Sequence, residues 1–141
     1  MSATIDDCRR IDLPRVTRRE GNLTAVHGNV EIPFPIERVF YVYDVPGGEG
    51  RGAHAHKTLH QFIVSIMGAF EVTVDDGTNR RTHTLNRAYY GLYVPPTIWC
   101  ELAGFSSGAV CLVLASDHYQ ESDYIRNHDE YLRFKRSHSV P

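Results

Sequence analysis

The chain has 141 residues, of which 42% are hydrophobic and 23% charged, and its formal net charge is −2. This length suits a single hydrophobic core, and the composition is typical of a soluble globular protein and not of a disordered or fibrous chain. The charge balance gives no electrostatic footprint for a polyanion, which argues against a nucleic-acid partner. We therefore expect one globular domain over residues 1–141.

Apolar runs and cysteines limit where the protein resides. The longest apolar run, residues 109–115, is much shorter than the roughly 20 residues that a membrane-spanning helix needs. The first ten residues lack the apolar core of a signal peptide. Cys8, Cys100 and Cys111 are odd in number and show no CxxC spacing, which argues against a disulfide framework and a zinc knuckle. We expect a cytoplasmic protein with reduced thiols and no membrane partner.

Short runs rich in β-branched and aromatic residues alternate with glycine- and proline-containing turns along most of the chain. This pattern predicts an all-β domain, either a sandwich or a small barrel. The predicted strands are 23–27, 38–44, 61–66, 69–75, 80–85, 91–94, 99–102 and 109–115. The tail differs, because residues 122–136 are rich in charged and aromatic residues. They predict a short C-terminal helix capped by Ser122 or Asp123.

The segment 51–56, Arg-Gly-Ala-His-Ala-His, holds the densest group of unusual residues. Alternate residues of a strand share a face, so His54 and His56 point the same way, with the small Ala55 between them. Histidine has its ordinary pKa close to neutrality, which makes this pair a candidate for proton transfer. The alternative is a pair of histidines that hydrogen bonds satisfy in a polar core.

The spacing around these histidines follows the first cupin motif, HxH(x)3-4E(x)6G. His54 and His56 supply its histidines, Gln61 stands where the motif has glutamate, and Gly68 closes it. This match predicts a cupin fold, a jelly-roll barrel, in a single cupin domain.

The second cupin motif, G(x)5PxGxxH, is only partly kept over residues 91–100. Pro95 keeps its place, whereas Thr97 and Cys100 replace the glycine and the histidine. A typical cupin metal site uses three histidines and the glutamate, and a neutral amide and a thiol are poor substitutes for such an oxygenase site. We therefore expect no metal and no cofactor, with a metal-dependent cupin dioxygenase as an alternative.

Five segments carry a resemblance to a known family. They read RVFYVYD at 38–44, RGAHAHK at 51–57, DDG at 75–77, GLYV at 91–94 and ASDHYQESDYIR at 115–126. The second and the last of these are much more specific than a general cupin match. Together the five resemble the sugar-nucleotide 3,4-ketoisomerases of the WxcM-like cupin group, and the similarity covers nearly the whole chain.

The resemblance implies an activity and an assembly. Members of that family convert dTDP-4-keto-6-deoxy-D-glucose into a 3-keto-6-deoxy sugar, which an aminotransferase then aminates at carbon 3. They need no metal, and they are homodimers in which N-terminal strands are exchanged. Cys100 departs from the family, whose members carry a histidine after the tryptophan. The configuration at carbon 4 of the product stays open at this point.

Moving a ketone from carbon 4 to carbon 3 needs a base at carbon 3, an acid at carbon 4 and a donor that stabilises the enediolate between them. We predict that His56 is the base and that His54 binds the substrate oxygens beside it. Tyr41 resembles the active-site tyrosine of the family and is our candidate for the acid. Strand alternation places Tyr43 on the same face, so the choice between these two tyrosines stays open.

Five further residues are candidates for substrate binding. Arg51, beside the histidines, is the first choice for the diphosphate, because a guanidinium matches phosphate oxygens. Arg38 and Lys57 are weaker candidates for the same charge. Gln61 is expected to bond the sugar or to be a buried structural amide. Trp99 is expected to pack on the ligand or in the core.

Two other interpretations of the function remain at this point besides the ketoisomerase and the dioxygenase. A 3,5-epimerase-like cupin shares the deprotonation next to a ketone, and a non-catalytic module binds a sugar nucleotide without turnover. The segment 124–126 either closes the pocket or contributes to the dimer.

Overall fold

The computed structural model describes residues 2–138. Short 3-10 turns at Ile5–Asp7 and Glu121–Asp123 accompany the regular elements. The strands and the helix are β1 (Arg9–Asp12), β2 (Val16–Arg18), β3 (Gly21–Leu23), β4 (Arg38–Val42), β5 (Arg51–His56), β6 (Gln61–Met67), β7 (Phe70–Asp75), β8 (Arg80–Leu85), β9 (Tyr90–Val94), β10 (Trp99–Ala103), β11 (Val110–Ala115), β12 (Tyr124–Ile125) and α1 (His128–His138).

Two five-stranded antiparallel sheets face each other. The first has the order β1-β9-β6-β11-β4 and the second the order β12-β5-β10-β7-β8, while β2 and β3 form a separate hairpin. These strand orders are non-sequential, as in a jelly roll. The prediction of an all-β jelly-roll barrel with a short C-terminal helix is confirmed.

Alternating side chains of both sheets fill the space between them. Large side chains from the inner faces are almost completely buried, as the period of two along a strand requires. The most central are Ile63, Phe70, Val72, Val74, Leu92, Cys111 and Val113. This core occupies the closed part of the barrel and holds the two sheets in fixed positions.

The outer face of the first sheet is partly covered by the segment 24–36. Ile32 and Phe34 are nearly fully buried and pack against Phe62 and Val64 of β6. This cover ends before β4, where Val39 is 53% exposed. An apolar part of the outer face therefore stays uncovered in the single chain.

The outer face of the second sheet is covered by α1. The fully buried Tyr131 donates its hydroxyl to the backbone carbonyl oxygens of Asp75, at 2.8 Å, and of Thr97, at 2.9 Å. These two bonds join the helix to the end of β7 and to the turn before β10. Within residues 2–138, no helix is long and apolar enough to cross a membrane.

The tail prediction was wrong in its boundaries. The helix begins at His128 and not near residue 122, because Asn127 Oδ1 accepts the backbone N–H of Glu130 at 3.0 Å and so acts as the cap. The residues before it form the strand β12, which pairs with β5. Neither Ser122 nor Asp123 caps the helix, and this part of the tail instead extends the second sheet next to the histidines.

The N-terminal strands were largely missed. The predicted strand 23–27 is wrong, since β3 ends at Leu23 and the residues after it form no regular strand. All six residues of β2 and β3 are exposed, so no apolar period marks them in the sequence. The strand β1 pairs with β9 of its own chain. Exchange of N-terminal strands between two chains stays a prediction.

Candidate active site

The two histidines of β5 lie together at the wall of the barrel. Their ring centroids are 4.9 Å apart and the ring planes are nearly perpendicular. His54 is half-buried, while His56 is only 4% exposed. In the neighbouring strands Cys100 pairs with His54 and Tyr124 pairs with His56. Both partner strands thus carry a side chain with a titratable group to this wall.

Tyr124 contacts both imidazoles. Its ring centroid lies 4.9 Å from that of His54 and 4.2 Å from that of His56. The guanidinium carbon of Arg126 lies 4.2 Å from the centroid of the same ring. The sequence pointed to this residue only through the motif ASDHYQESDYIR, because the helix prediction had removed it from the sheet.

Asp123 lies beside the more buried histidine. Its Oδ2 is 3.3 Å from Nδ1 of His56. Its Oδ1 accepts the backbone N–H of Thr58 at 2.9 Å and the hydroxyl of Thr58 at 2.7 Å. Neither ring nitrogen of His56 has a partner with hydrogen-bond geometry within residues 2–138. Thr58 therefore holds the carboxylate against an imidazole that is free to bond a ligand or to accept a proton.

Burial makes both imidazoles weak bases. It is the largest cause that lowers the pKa of His54 to about 4, and the cations of Arg126 and Arg38 lower it further. The pKa of His56 is also lowered to about 4, by burial and by His54, whereas Asp123 acts in the opposite direction. Both rings are therefore neutral at pH 7, the form that accepts a proton.

A cavity of about 290 Å³ opens into the barrel between the sheets, and we call it the barrel cavity. This volume is at the small end of ligand sites, so it suits one compact group of a ligand. Its polar lining comes from Arg51, His54, Gln61, Cys100, Tyr124 and Arg126, and its apolar lining includes Phe40, Val42, Ile63, Leu102 and Val113. The structure thus brings together Arg51, His54 and Gln61, as the sequence predicts.

A second cavity of about 210 Å³ lies on the other side of Tyr124. His56 and Asp123 line it together with Arg38 and Lys57. The ammonium group of Lys57 donates to the carbonyl oxygen of Ser122 at 3.3 Å. Arg38 and Lys57 therefore lie near the histidines but outside the barrel cavity.

A cleft of about 610 Å³ lies away from the histidines. It is lined by the N-terminal segment, by residues after β7 and by Lys135 of α1. Its two arginines are already paired with carboxylates, Arg81 with Asp6 at 3.0 Å and Arg80 with Asp75 and Glu101. No histidine lines this cleft, whereas His54 lines the barrel cavity and His56 the second cavity, so the candidate site comprises these two smaller cavities.

The prediction that Tyr41 faces the histidines is wrong. In β4 the side chains that line the barrel cavity are Phe40 and Val42, and alternation turns Tyr41 to the outer face. Tyr41 is 60% exposed there, and its ring lies 5.7 Å from that of Tyr43. The two tyrosines do share a face, but it is the one opposite the site.

Of the two places predicted for Trp99, beside the ligand or in the core, the structure puts the side chain in the core. Trp99 is 3% exposed and belongs to the cluster under α1, where its ring contacts His128 and Tyr131. Its indole N–H donates to Oε2 of Glu101 at 2.7 Å. The next residue, Cys100, takes the inward position, so alternation turns Trp99 away from the barrel cavity.

The donor groups around His54 do not suit a metal ion. Gln61 offers a neutral amide, and burial raises the pKa of Cys100 far above its ordinary value, so the thiol stays protonated. Within residues 2–138, no three side chains among His, Cys, Asp and Glu are grouped to hold a metal. We assign no step of the reaction to a metal.

Comparison with known proteins places this geometry in a family. The family model described as FdtA: WxcM-like, C-terminal, matches residues 6–136. The chain belongs to this family. The resemblance seen in the sequence is thereby confirmed.

Relatives of this FdtA-family chain agree in sequence and in fold. A protein of Aneurinibacillus thermoaerophilus named TDP-4-oxo-6-deoxy-alpha-D-glucose-3,4-oxoisomerase is 44% identical over 124 residues, 88% of this chain and 89% of that protein. A 3,4-ketoisomerase from Helicobacter canadensis is 41% identical with a TM-score of 0.90, covering 92% of this chain and 98% of its own.

A third relative was solved with a sugar nucleotide. It is a mutant of the 3,4-ketoisomerase QdtA from Thermoanaerobacterium thermosaccharolyticum in complex with TDP-4-keto-6-deoxyglucose. It is 34% identical to this chain with a TM-score of 0.92, covering 95% of this chain and 97% of its own.

Proposed function

We propose that this chain is a sugar-nucleotide 3,4-ketoisomerase. It moves the keto group of dTDP-4-keto-6-deoxy-D-glucose from carbon 4 to carbon 3, in the biosynthesis of 3-amino-3,6-dideoxy sugars, and uses neither metal nor cofactor. The observation that carries this proposal is a pair of neutral, buried imidazoles beside a small polar barrel cavity. The related 3,4-ketoisomerases, one of them solved with the keto sugar nucleotide, support it.

The imidazole pair carries the proton between the two carbons. The carbonyl at carbon 4 makes the proton on carbon 3 acidic, and a neutral imidazole removes it to form the enediolate. We assign this step to His56, because Asp123 beside its Nδ1 stabilises the imidazolium that forms. The imidazolium then returns the proton to carbon 4. His54 lines the barrel cavity and bonds the sugar oxygens.

The sugar and the diphosphate of the substrate are bound by different residues in and around the barrel cavity. The sugar ring enters the barrel cavity, where Gln61 supplies an amide to its hydroxyls, and its reacting carbons lie on the Tyr124 side, next to the second cavity that His56 lines. Arg51 and Arg126 line the same cavity and meet the negative diphosphate, since guanidinium groups bind phosphate oxygens in a fork. Arg38 and Lys57 add positive charge from the second cavity.

The functional unit of this proposal is a homodimer in the cytoplasm. Large apolar side chains stay exposed on β4 and at the end of β6, including Tyr41 and Met67, which is 63% exposed. An exposed apolar area of this kind is typical of a protein interface. The free thiols of all three cysteines suit a reducing compartment. Analytical ultracentrifugation tests the dimer: a Tyr41→Glu variant is expected to sediment as a monomer, and a monomeric wild type contradicts this part of the proposal.

The activity is tested with the keto sugar nucleotide in deuterated water, followed by NMR. The expected product carries its ketone at carbon 3, and deuterium enters at carbon 4 to the extent that the imidazolium exchanges its proton with the solvent. His56→Asn is expected to lower turnover by about two to four orders of magnitude, the usual contribution of a general base. His138→Asn, at the exposed end of α1, is the matched control.

Two outcomes contradict the assignment. A wild-type protein that binds the nucleotide but neither moves the ketone nor incorporates deuterium is a binding module. A product that keeps its ketone at carbon 4 and changes configuration, seen in the proton coupling constants, identifies an epimerase.

A further inference from the structure

The proposed isomerisation moves two protons and not one. One leaves carbon 3 and arrives at carbon 4, and the other leaves the hydroxyl on carbon 3 and arrives at the oxygen on carbon 4. The imidazole pair accounts for the transfer between carbons. The transfer between oxygens needs a group that donates to one oxygen and accepts from its neighbour, as a hydroxyl does.

Within residues 2–138, Tyr124 is the tyrosine that lines the barrel cavity. Tyr41 and Tyr43 face outward, and the Tyr131 hydroxyl is held by two carbonyl oxygens under α1. Tyr93 bonds His60 at 2.7 Å on the outer face of the first sheet. The position of Tyr124 therefore matches the missing hydroxyl.

We propose that Tyr124 is a catalytic residue that shuttles the proton between the two substrate oxygens, an inference that rests on the proposed function. As the imidazole removes the proton from carbon 3, the C–H electron pair becomes the C3=C4 double bond. The carbonyl π electrons move to the oxygen on carbon 4, which takes the phenolic proton. The enediol then gives its other O–H proton to the tyrosinate, a carbonyl forms at carbon 3, and the imidazolium protonates carbon 4. Every atom is restored, and no outside reactant is consumed.

Two contacts suit Tyr124 to this task. Its ring packs on both imidazoles, at 4.9 Å and 4.2 Å between centroids, and it lines the barrel cavity with His54 and the second cavity with His56, so the tyrosine stands between the two histidines. Arg126 lies over the same ring at 4.2 Å and holds it against the imidazoles by a cation–π contact.

The test is Tyr124→Phe, which keeps the ring and removes only the hydroxyl. We expect kcat to fall by about 10²–10³, the range for loss of one donor to a developing oxyanion, with TDP affinity within about threefold of the wild type. Tyr119→Phe is the matched control, because this exposed tyrosine contacts Tyr124 but donates its hydroxyl to Glu121. We expect it to keep kcat within about threefold.

Three results overturn the shuttle. The first is a folded Tyr124→Phe protein with unchanged kcat, and the second is a rise in KM alone, which shows a binding role. If this variant does not fold, 3-fluorotyrosine at position 124 keeps the shape and makes the phenol more acidic. This substitution is expected to move the alkaline limb of the kcat profile to lower pH. The third result against the shuttle is an alkaline limb that does not move. A wild type without ketone migration instead refutes the proposed function itself.

Discussion

Oδ2 of Asp123 lies 3.3 Å from Nδ1 of His56, and the other carboxylate oxygen is held by both the backbone N–H and the hydroxyl of Thr58. The carboxylate is thus fixed before any ligand arrives. It can orient the imidazole and stabilise its protonated form, as an acidic partner does for a catalytic histidine.

We predict that Asp123→Asn lowers kcat by about ten- to a hundredfold. In metalloenzymes, loss of a carboxylate that orients a functional histidine has an effect of this size. The amide keeps an oxygen for Thr58 but removes the charge that raises the pKa of His56. The acid limb of the pH profile should therefore move to lower pH, with TDP affinity unchanged. Asp129→Asn, on the exposed side of α1, is the control. A purely structural role for Asp123 predicts lower stability with an unmoved acid limb.

The acid limb of the wild type is itself a prediction. Burial lowers the pKa of His54 and His56 from 6.5 to about 4, and the base works in its neutral form. Turnover in short assays should stay constant as the pH falls through 6.5 and decline only near pH 4. A half-maximal rate near pH 6.5 shows instead that the reacting imidazole is exposed to water.

The lowered pKa values of the two histidines also make the stability of the fold depend on pH. In the unfolded chain each histidine takes up a proton near pH 6.5, while in the folded protein it does so only near pH 4. The unfolded state therefore binds more protons between these values, and folding is destabilised as the pH falls through that window. Above pH 6.5 the contribution is fully present. Urea denaturation at a series of pH values measures this change in the free energy of unfolding. The same measurement shows whether a loss of activity at low pH comes from unfolding or from protonation of the catalytic imidazole.

Strand alternation explains both the success and the failure of the sequence analysis at the site. The spacing of His54 and His56 was sufficient to place both imidazoles at one wall, because the local period of two decides it. The same period leaves the facing of Tyr41 undetermined, since β4 alternates aromatic and apolar residues on both faces. Only the tertiary position of β4 shows that Phe40 faces the cavity.

The tail was misread for a different reason. Residues 122–136 carry helical composition, but Tyr124 and Ile125 complete the second sheet by pairing with β5. This long-range pairing outweighs local preference, and no local pattern reports it. Asp123 was consequently absent from the predicted site, and Tyr124 was named only within the segment 124–126, whose role at the pocket or in the dimer stayed open.

Chelators are expected to leave the activity intact. In the barrel cavity Gln61 and Cys100 occupy the places of a carboxylate and an imidazole ligand, and the Cys100 thiol stays protonated because burial raises its pKa. We predict that dialysis against EDTA or 1,10-phenanthroline changes kcat by less than a factor of about two, since no metal activates the carbonyl. Elemental analysis of the dialysed protein is the control. Activity that disappears on dialysis and returns with one divalent metal contradicts the proton-transfer mechanism.

Trp99 is predicted to stabilise the fold without touching the substrate. Trp99→Phe removes the N–H that bonds Glu101 and leaves space beside His128 and Tyr131. Glu101 keeps its ion pair with Arg80, at 3.1 Å, so its charge is not left without a partner. We expect the free energy of unfolding in urea to fall by about 1–3 kcal/mol, the common range for a lost buried bond and a small cavity.

The kinetic result of Trp99→Phe decides between the two roles that the sequence allowed. Trp99 lies under α1 while its neighbour Cys100 faces the barrel cavity, so KM and kcat should stay within about twofold of the wild type at a temperature where the variant is folded. A large rise in KM with unchanged stability assigns the indole to the ligand. Loss of stability with unchanged kinetics shows that the Trp99 indole serves to attach α1 to the second sheet. The helix α1 in turn anchors the tail segment that places Asp123 and Tyr124 beside the histidines.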